Sequence, residues 1–359
     1  MFEREMDPAS LAGKSNFVAA FASTNLGDVS PNTLGPRCID TGLPCDLEHS
    51  TCDGRTQNCI AFGPGVDMFE STKIIAERQF RAALDLFSNR ENYTELSGPV
   101  QFSHQWVNMT NYPVELADGS TATTCPPALG YSFAAGTTDG PGEFDFTQGD
   151  NTGNPFWDFI SGLLKDPSPE QEACQAPKPI LLDTGEYRFP YPWHPASVDT
   201  QILRVGGLAL LAVPGEFTTM AGRRLRAAVA AAAAEAGEEI RPVVAGLSNT
   251  YTHYITTWEE YQKQRYEAAS TIYGPHTLLA YTQQFTALVR AMLAGEELPP
   301  GPPPPDLEDQ QITFVPGVLM DNPPAGKQFG DCVVQPQDTA PGQTVTATFV
   351  SGHLRNNLM

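Results

Sequence analysis

The sequence predicts an α/β fold, and three stretches carry that expectation. Residues 203–213 form an almost unbroken apolar run with two glycines, which reads as a buried strand. The run ends in Pro214-Gly215-Glu216-Phe217-Thr218-Thr219, and residues 220–236 then follow a helical pattern, with Arg223, Arg224 and Arg226 ahead of an alanine run. A second strand is predicted over residues 242–247. Strand, glycine turn and helix is the arrangement that sets a side chain at the mouth of an α/β crevice, and Glu216 occupies that turn. By itself Glu216 reads either as a first-turn glutamate favoured by the helix dipole or as a metal-binding carboxylate.

Bulk properties agree with a folded α/β protein. At 359 residues the chain is too long for one average domain and suits a large domain with an appendage. Hydrophobic residues make up 41% and charged residues only 18%, which excludes a disordered chain. Asp and Glu number 42 against 21 Lys and Arg, so the net charge of -21 argues against nucleic acid as a partner. No apolar run reaches 18 residues, and the opening MFEREMDPAS is too polar for a signal peptide.

Taken in order, the first informative stretch is Gly27-Asp28-Val29-Ser30-Pro31-Asn32. Pro31 biases Ser30 toward extended backbone, so the hydroxyl stands out on a rigid corner. It is either a nucleophile or the N-cap of a short helix with Pro31 in its first position, and local chemistry alone favours the cap. Cys38, Cys45, Cys52 and Cys59 follow at seven-residue intervals, too widely spaced for a zinc knuckle, and so read as disulfides with three pairings open. Cys332 is expected to be a buried, inert thiol. The sequons at Asn92 and Asn108 join the disulfides in favouring an oxidising compartment, which conflicts with the polar start; the natural N-terminus is expected to lie further upstream.

Residues 64–91 read as amphipathic helical scaffold and residues 100–116 as strand, with His104 beside Trp106 expected to be packed and hydrogen-bonded rather than a ligand. The small-residue stretch 129–140 either lines a cleft or forms a tight loop. Residues 137–200 form a long irregular region containing Pro155, Trp157, Pro167 and Pro169, and its patch Tyr191-Pro192-Trp193-His194-Pro195 is expected to seal the core edge rather than hold an acyl chain. After Glu216, five polar aromatics (Tyr251, His253, Tyr254, Tyr261 and Tyr266) fall within sixteen positions. Such a density suits metal binding or proton donation better than a solvated helix face. Tyr273 to His276 opens a helix through Met292, residues 296–309 are a proline-rich exposed linker, and residues 344–350 alternate like a strand that ends before a partner can form.

Three strings resemble the neutral ceramidase family: NLGDVSPNTLGPRC around Ser30, VPGEFTTMAGRRLR around Glu216, and the segment from Tyr254 to Tyr266. The resemblance implies that Ser30 is catalytic, that Glu216 and Tyr254 are zinc ligands, and that Tyr266 stabilises an oxyanion or protonates the leaving amine. Ser30 then either attacks directly or orients a zinc-bound hydroxide. His253 is a tempting ligand by chemistry, but the family motif gives that position to Tyr254. The implied disulfides are Cys38 with Cys52, Cys45 with Cys59 and Cys125 with Cys174.

The implied reaction is zinc-dependent hydrolysis of the ceramide amide to a sphingoid base and a fatty acid, at a membrane or micelle surface and outside the cell or on its face. The implied fold is a mixed α/β catalytic domain, incomplete at its N-terminus, over residues 1–296. A linker over 297–312 and the start of an immunoglobulin-like β-sandwich over 313–359 follow. The family's two histidine ligands precede the GDVSPN motif, whereas all six histidines here follow Ser30, so the 359 residues alone are expected to be inactive. The competing reading is a catalytically dead lipid-binding ectodomain, which has no need of zinc. No HExxH, GxSxG or strand-borne GxGxxG is present, and Pro8 stands where Gly13-Lys14-Ser15 needs a phosphate-loop glycine, so no nucleotide cofactor is expected.

Overall fold

The computed structural model describes residues 1–11, 13–153, 166–312, 318, 320–340 and 342–354. Pro155 and Trp157 lie outside the described residues. Two units are present, Met1–Pro305 and Asp306–Met359. Strands of the first run in chain order as β1 Gly35–Cys38, β2 Cys59–Phe62, β3 Val100–Asn108, β4 Pro113–Glu115, β5 Thr121–Thr123, β6 Leu129–Gly130, β7 Gly136–Thr137 and β8 Gly140–Pro141. They continue as β9 Ile180–Leu182, β10 Ser197–Val205, β11 Leu208–Ala212, β12 Glu216–Phe217, β13 Arg241–Ala245 and β14 Tyr254–Ile255; β15 Cys332–Val334 and β16 Thr348–Phe349 belong to the second unit.

The expected α/β arrangement is centred on a four-stranded sheet of order β13-β11-β10-β3. β11 and β13 are parallel and joined by the Thr219–Glu235 helix, whereas β10 pairs antiparallel with both β11 and β3. That helix and the Thr277–Ala294 helix build the core with the sheet, through Ile202, Leu211, Leu225, Val229, Phe285 and Leu288, all fully buried. Thr218 caps the first helix by accepting from Ala221 N–H, and Gly295, at φ 71°, ends the second in the left-handed conformation that glycine adopts without strain.

The single buried strand expected over residues 203–213 is instead a hairpin. Residues 203–205 finish β10, Gly206-Gly207 turn the chain, and β11 returns. Gly206 has φ 57°, and a Cβ there would lie 2.4 Å from the Ser97 carbonyl oxygen, so a bulkier residue is excluded twice over. Period-two alternation then divides the apolar residues: Ile202 and Leu211 face the helices, while Leu203, Val205 and Leu210 are exposed on the opposite face with Phe102.

Residues 64–91 contain the helix Met68–Ser88, capped by Asp67, but no residue of it is fully buried. It lies at the surface, and its Phe80 and Phe87 rings meet Phe2 edge-on at 6.0 and 5.4 Å. The cysteine segment folds as the antiparallel pair β1–β2, with disulfides Cys38–Cys52, Cys45–Cys59 and Cys125–Cys174, as the family resemblance implied. Each of the first two spans 14 residues, a loop length whose closure is worth about 3 kcal/mol on chain-entropy grounds.

His104 behaves as expected, bonded to Asp199 at 2.9 Å and edge-on to Trp106. The proline-rich stretch is exposed yet not free, since Trp106 N–H and the Gln105 amide donate to the Pro300 and Pro299 carbonyls. In the second unit, residues 344–350 give only the short β16, and it does find a partner, the preceding β15. Cys332, in β15, is half-exposed rather than buried: a strand pair this small has no core to enclose it.

Candidate functional site

Glu216 emerges where the chain leaves the sheet. β12 pairs in parallel with β14, and the register sets Glu216 opposite Tyr254 and Phe217 opposite Ile255. Glu216 N–H donates to the His253 carbonyl at 2.8 Å, and Thr218 N–H to that of Ile255 at 3.0 Å. Gly215 makes this approach possible, because a Cβ there would sit 2.7 Å from the His253 carbonyl oxygen. Phe217 and Ile255 are fully buried beneath, so the pair is a fixed platform carrying half-buried Glu216 and Tyr254.

Three phenols gather at the carboxylate. Tyr251 Oη donates to Glu216 Oε1 at 2.6 Å, the Tyr254 ring meets Tyr266 edge-on at 5.4 Å, and Tyr266 stacks on Phe133. Burial, reinforced by the negative charge of Glu216, raises Tyr251, Tyr254 and Tyr266 above the usual phenol range. They are therefore proton donors at neutral pH, and a cation at Glu216 would reverse that electrostatic contribution.

A histidine pair braces the platform from beside. His253, in the left-handed region at φ 58°, places Nε2 2.9 Å from Nε2 of His194, whose Nδ1 lies 2.6 Å from the Thr184 hydroxyl. Burial pushes the His253 imidazole down to about 4, and the same cause followed by the neighbouring His253 charge pushes His194 down to about 3. Both rings are neutral at pH 7 and share one N–H between the facing nitrogens. His194 thus turns inward from the 191–195 patch, while its neighbour Trp193 stays 45% exposed against Tyr187.

Ser30 reaches the same region on a clasped loop. Gly27 N–H donates to the Phe217 carbonyl at 2.9 Å, and Asp28 Oδ1 accepts from both the backbone and hydroxyl of Thr219, at 2.7 and 2.8 Å. The loop is thereby fastened to the turn that carries Glu216. No helix begins at Pro31, so the capping role favoured by local chemistry is not what Ser30 does. Its hydroxyl donates to Asp139 Oδ1 at 2.6 Å and accepts Asn32 N–H at 3.0 Å. Asp139 comes from the 129–140 stretch, which folds as β6, a helical turn and the β7–β8 hairpin. Neither Asp139 nor His194 has a local signal that marks it, since each acts through a partner remote in sequence.

The donor set around Glu216 accommodates a metal ion in part. Glu216 supplies a carboxylate and Tyr254 a phenol from register partners, while a catalytic zinc usually takes three protein ligands. Among the described residues, the cluster of three potential His, Cys, Asp or Glu ligands is Cys38, Cys45 and Cys52, whose sulfurs are engaged in disulfides.

Residues 1–283 match the model of the neutral/alkaline non-lysosomal ceramidase N-terminal domain, and residues 285–359 that of the C-terminal domain. Neutral ceramidase 2 of Arabidopsis thaliana is 52% identical over 96% of this chain and 47% of its own length. Neutral ceramidase B of Dictyostelium discoideum is 49% identical over all of this chain and 51% of its own. Among solved structures, a ceramidase complexed with C2 superposes with a TM-score of 0.71 at 37% identity, covering 97% of this chain and 50% of that one. Neutral ceramidase from Pseudomonas aeruginosa does so with a TM-score of 0.67 at 34% identity, covering 97% and 49%. The chain spans about half the length of the curated relatives it matches. Two family models that together span the chain, and a relative 52% identical over 96% of it, make this chain a member of the neutral/alkaline non-lysosomal ceramidase family.

Proposed function

We propose that this chain carries catalytic residues of a zinc-dependent amide hydrolase that cleaves the N-acyl bond of ceramide to a sphingoid base and a free fatty acid. The observation that supports it best is the fastening of the loop that carries Ser30, through Gly27 and Asp28, onto the turn that carries Glu216. Family membership adds to that reading, and the names of the relatives supply the substrate class.

Glu216 and Tyr254 are the residues here that would hold the ion, which when bound supplies Lewis-acid polarisation of the acyl carbonyl or a more acidic water. Ser30 presents its oxygen toward the acyl carbon. Tyr266, kept protonated by burial and by Glu216, donates a hydrogen bond to the oxyanion or a proton to the departing amine. The substrate is met at a membrane or micelle surface. No helix of the described residues is long and apolar enough to cross a membrane, and three disulfides suit an oxidising, secretory compartment.

We assign residues 1–296 to the catalytic domain, 297–312 to a linker and 313–359 to the start of a β-sandwich. Residues 1–359 alone are proposed not to turn ceramide over, because Glu216 and Tyr254 supply only two donors; zinc-dependent hydrolysis by that stretch would overturn this. The function itself is tested by incubating the full-length natural protein with ceramide before and after chelation. Equimolar sphingoid base and fatty acid, lost on chelation and restored by zinc, are expected. Unchanged ceramide, or turnover indifferent to chelation, contradicts the proposal.

A further inference from the structure

We propose that Asp139 is the positioning residue that fixes the direction of the Ser30 hydroxyl, an inference that rests on the catalytic reading of Ser30. Three groups close a ring: Ser30 Oγ–H donates to Asp139 Oδ1 at 2.6 Å, Asn32 Nδ2 donates to the same oxygen at 2.6 Å, and Asn32 N–H donates to Ser30 Oγ at 3.0 Å. A hydroxyl has one proton and two lone pairs. Here the proton is committed to Asp139 and one lone pair to Asn32, so the remaining lone pair has a defined direction. The acceptor is a carboxylate, and a bond of this kind is shorter and roughly twice as strong as one between neutral groups.

The carboxylate is itself held on a rigid mount 109 residues away in the chain. Asp139 forms the tip of the β7–β8 hairpin, whose Thr138 carbonyl accepts Ala61 N–H of β2 at 2.7 Å. Gln57 donates to the Gly142 carbonyl at 3.0 Å, and Gln148 to that of Gly136 at 2.8 Å. A Cβ at Gly142 would lie 1.8 Å from the Ala134 carbonyl oxygen, so the hairpin base is packed to backbone contact. The disulfide-bonded β1–β2 pair therefore buttresses the tip that steers Ser30. Phe133, just before the hairpin, stacks on Tyr266, which ties the same segment to the phenol cluster.

Asp139→Asn in the zinc-loaded full-length protein keeps the side chain's size and an acceptor oxygen while removing its charge. Expected is a fall in kcat for ceramide of about 100-fold, the order that misplacement of a reacting group costs, with KM, zinc content and Tm held at wild-type values. A fall of less than tenfold, or one that tracks lost zinc or a lowered Tm, overturns the inference. Crystal structures of wild type, Asp139→Asn and Asp139→Ala read the same point without substrate. Ser30 Oγ turned away from its wild-type direction in Asp139→Ala supports positioning, and an unmoved Oγ overturns it. Wild-type protein that binds zinc yet leaves ceramide intact defeats the functional reading instead, and the crystallographic arm still decides the role of Asp139.

Discussion

Glu216 and Ser30 lie on neighbouring segments but are held in different ways. Glu216 stands on a parallel strand pair whose alternate residues are fully buried, so backbone register and core packing set its position. Ser30 stands on an exposed loop held by side-chain and single backbone bonds from Gly27, Asp28 and Asp139. The first kind of mount fails only when the core fails; the second can be released while the core stays intact. Metal binding and hydroxyl presentation should therefore be separable by mutation.

The largest effect is expected on the strand-borne side. Glu216→Gln should reduce bound zinc and ceramide turnover sharply, by about 100-fold or more in activity, whereas Tyr254→Phe should weaken zinc binding less, because a neutral phenol is a poorer ligand than a carboxylate. Stoichiometric zinc in Glu216→Gln, measured by elemental analysis, contradicts the ligand assignment.

Releasing the loop should give a smaller, different signature. A Cβ at Gly27 would lie 2.7 Å from the Glu216 carbonyl oxygen, a backbone atom that cannot swing aside. Gly27→Ala should shift the Ser30 loop, lower kcat about tenfold and destabilise by about 1–3 kcal/mol, with zinc retained. Zinc lost in parallel with kcat would show that the two regions are not separable.

The smallest effect concerns the histidine brace. His194 titrates near 3 in the fold because burial disfavours its charged form, against 6.5 in the unfolded chain. Its neutral state contributes fully above pH 6.5, and that contribution is lost as pH falls toward 3 because the unfolded chain takes up the proton first. Tm should drop between pH 7 and 4, and His194→Gln should flatten that slope. An identical slope in the variant would contradict the brace.

The same contrast explains what could be read from the chain. The place of Glu216 between strand and helix is legible because strand, glycine turn and helix are local patterns, and the Thr219–Glu235 helix follows the apolar run as expected. The hairpin at Gly206 is not legible in the sequence, because apolar continuity hides a turn when apolar residues also occupy an exposed sheet face. His194 and Asp139 escaped local reading because they meet their partners across 59 and 109 residues, through bonds that no spacing encodes. The capping reading of Ser30 failed for the same reason: its true partner comes from a distant hairpin.

The most direct measurement is ceramide hydrolysis by Ser30→Ala in the full-length natural protein, with zinc content and Tm determined on the same samples. Expected is the loss of all hydrolysis above background while zinc stoichiometry and Tm match wild type. Near-normal turnover would contradict the shared site and leave the Ser30 loop a structural clasp.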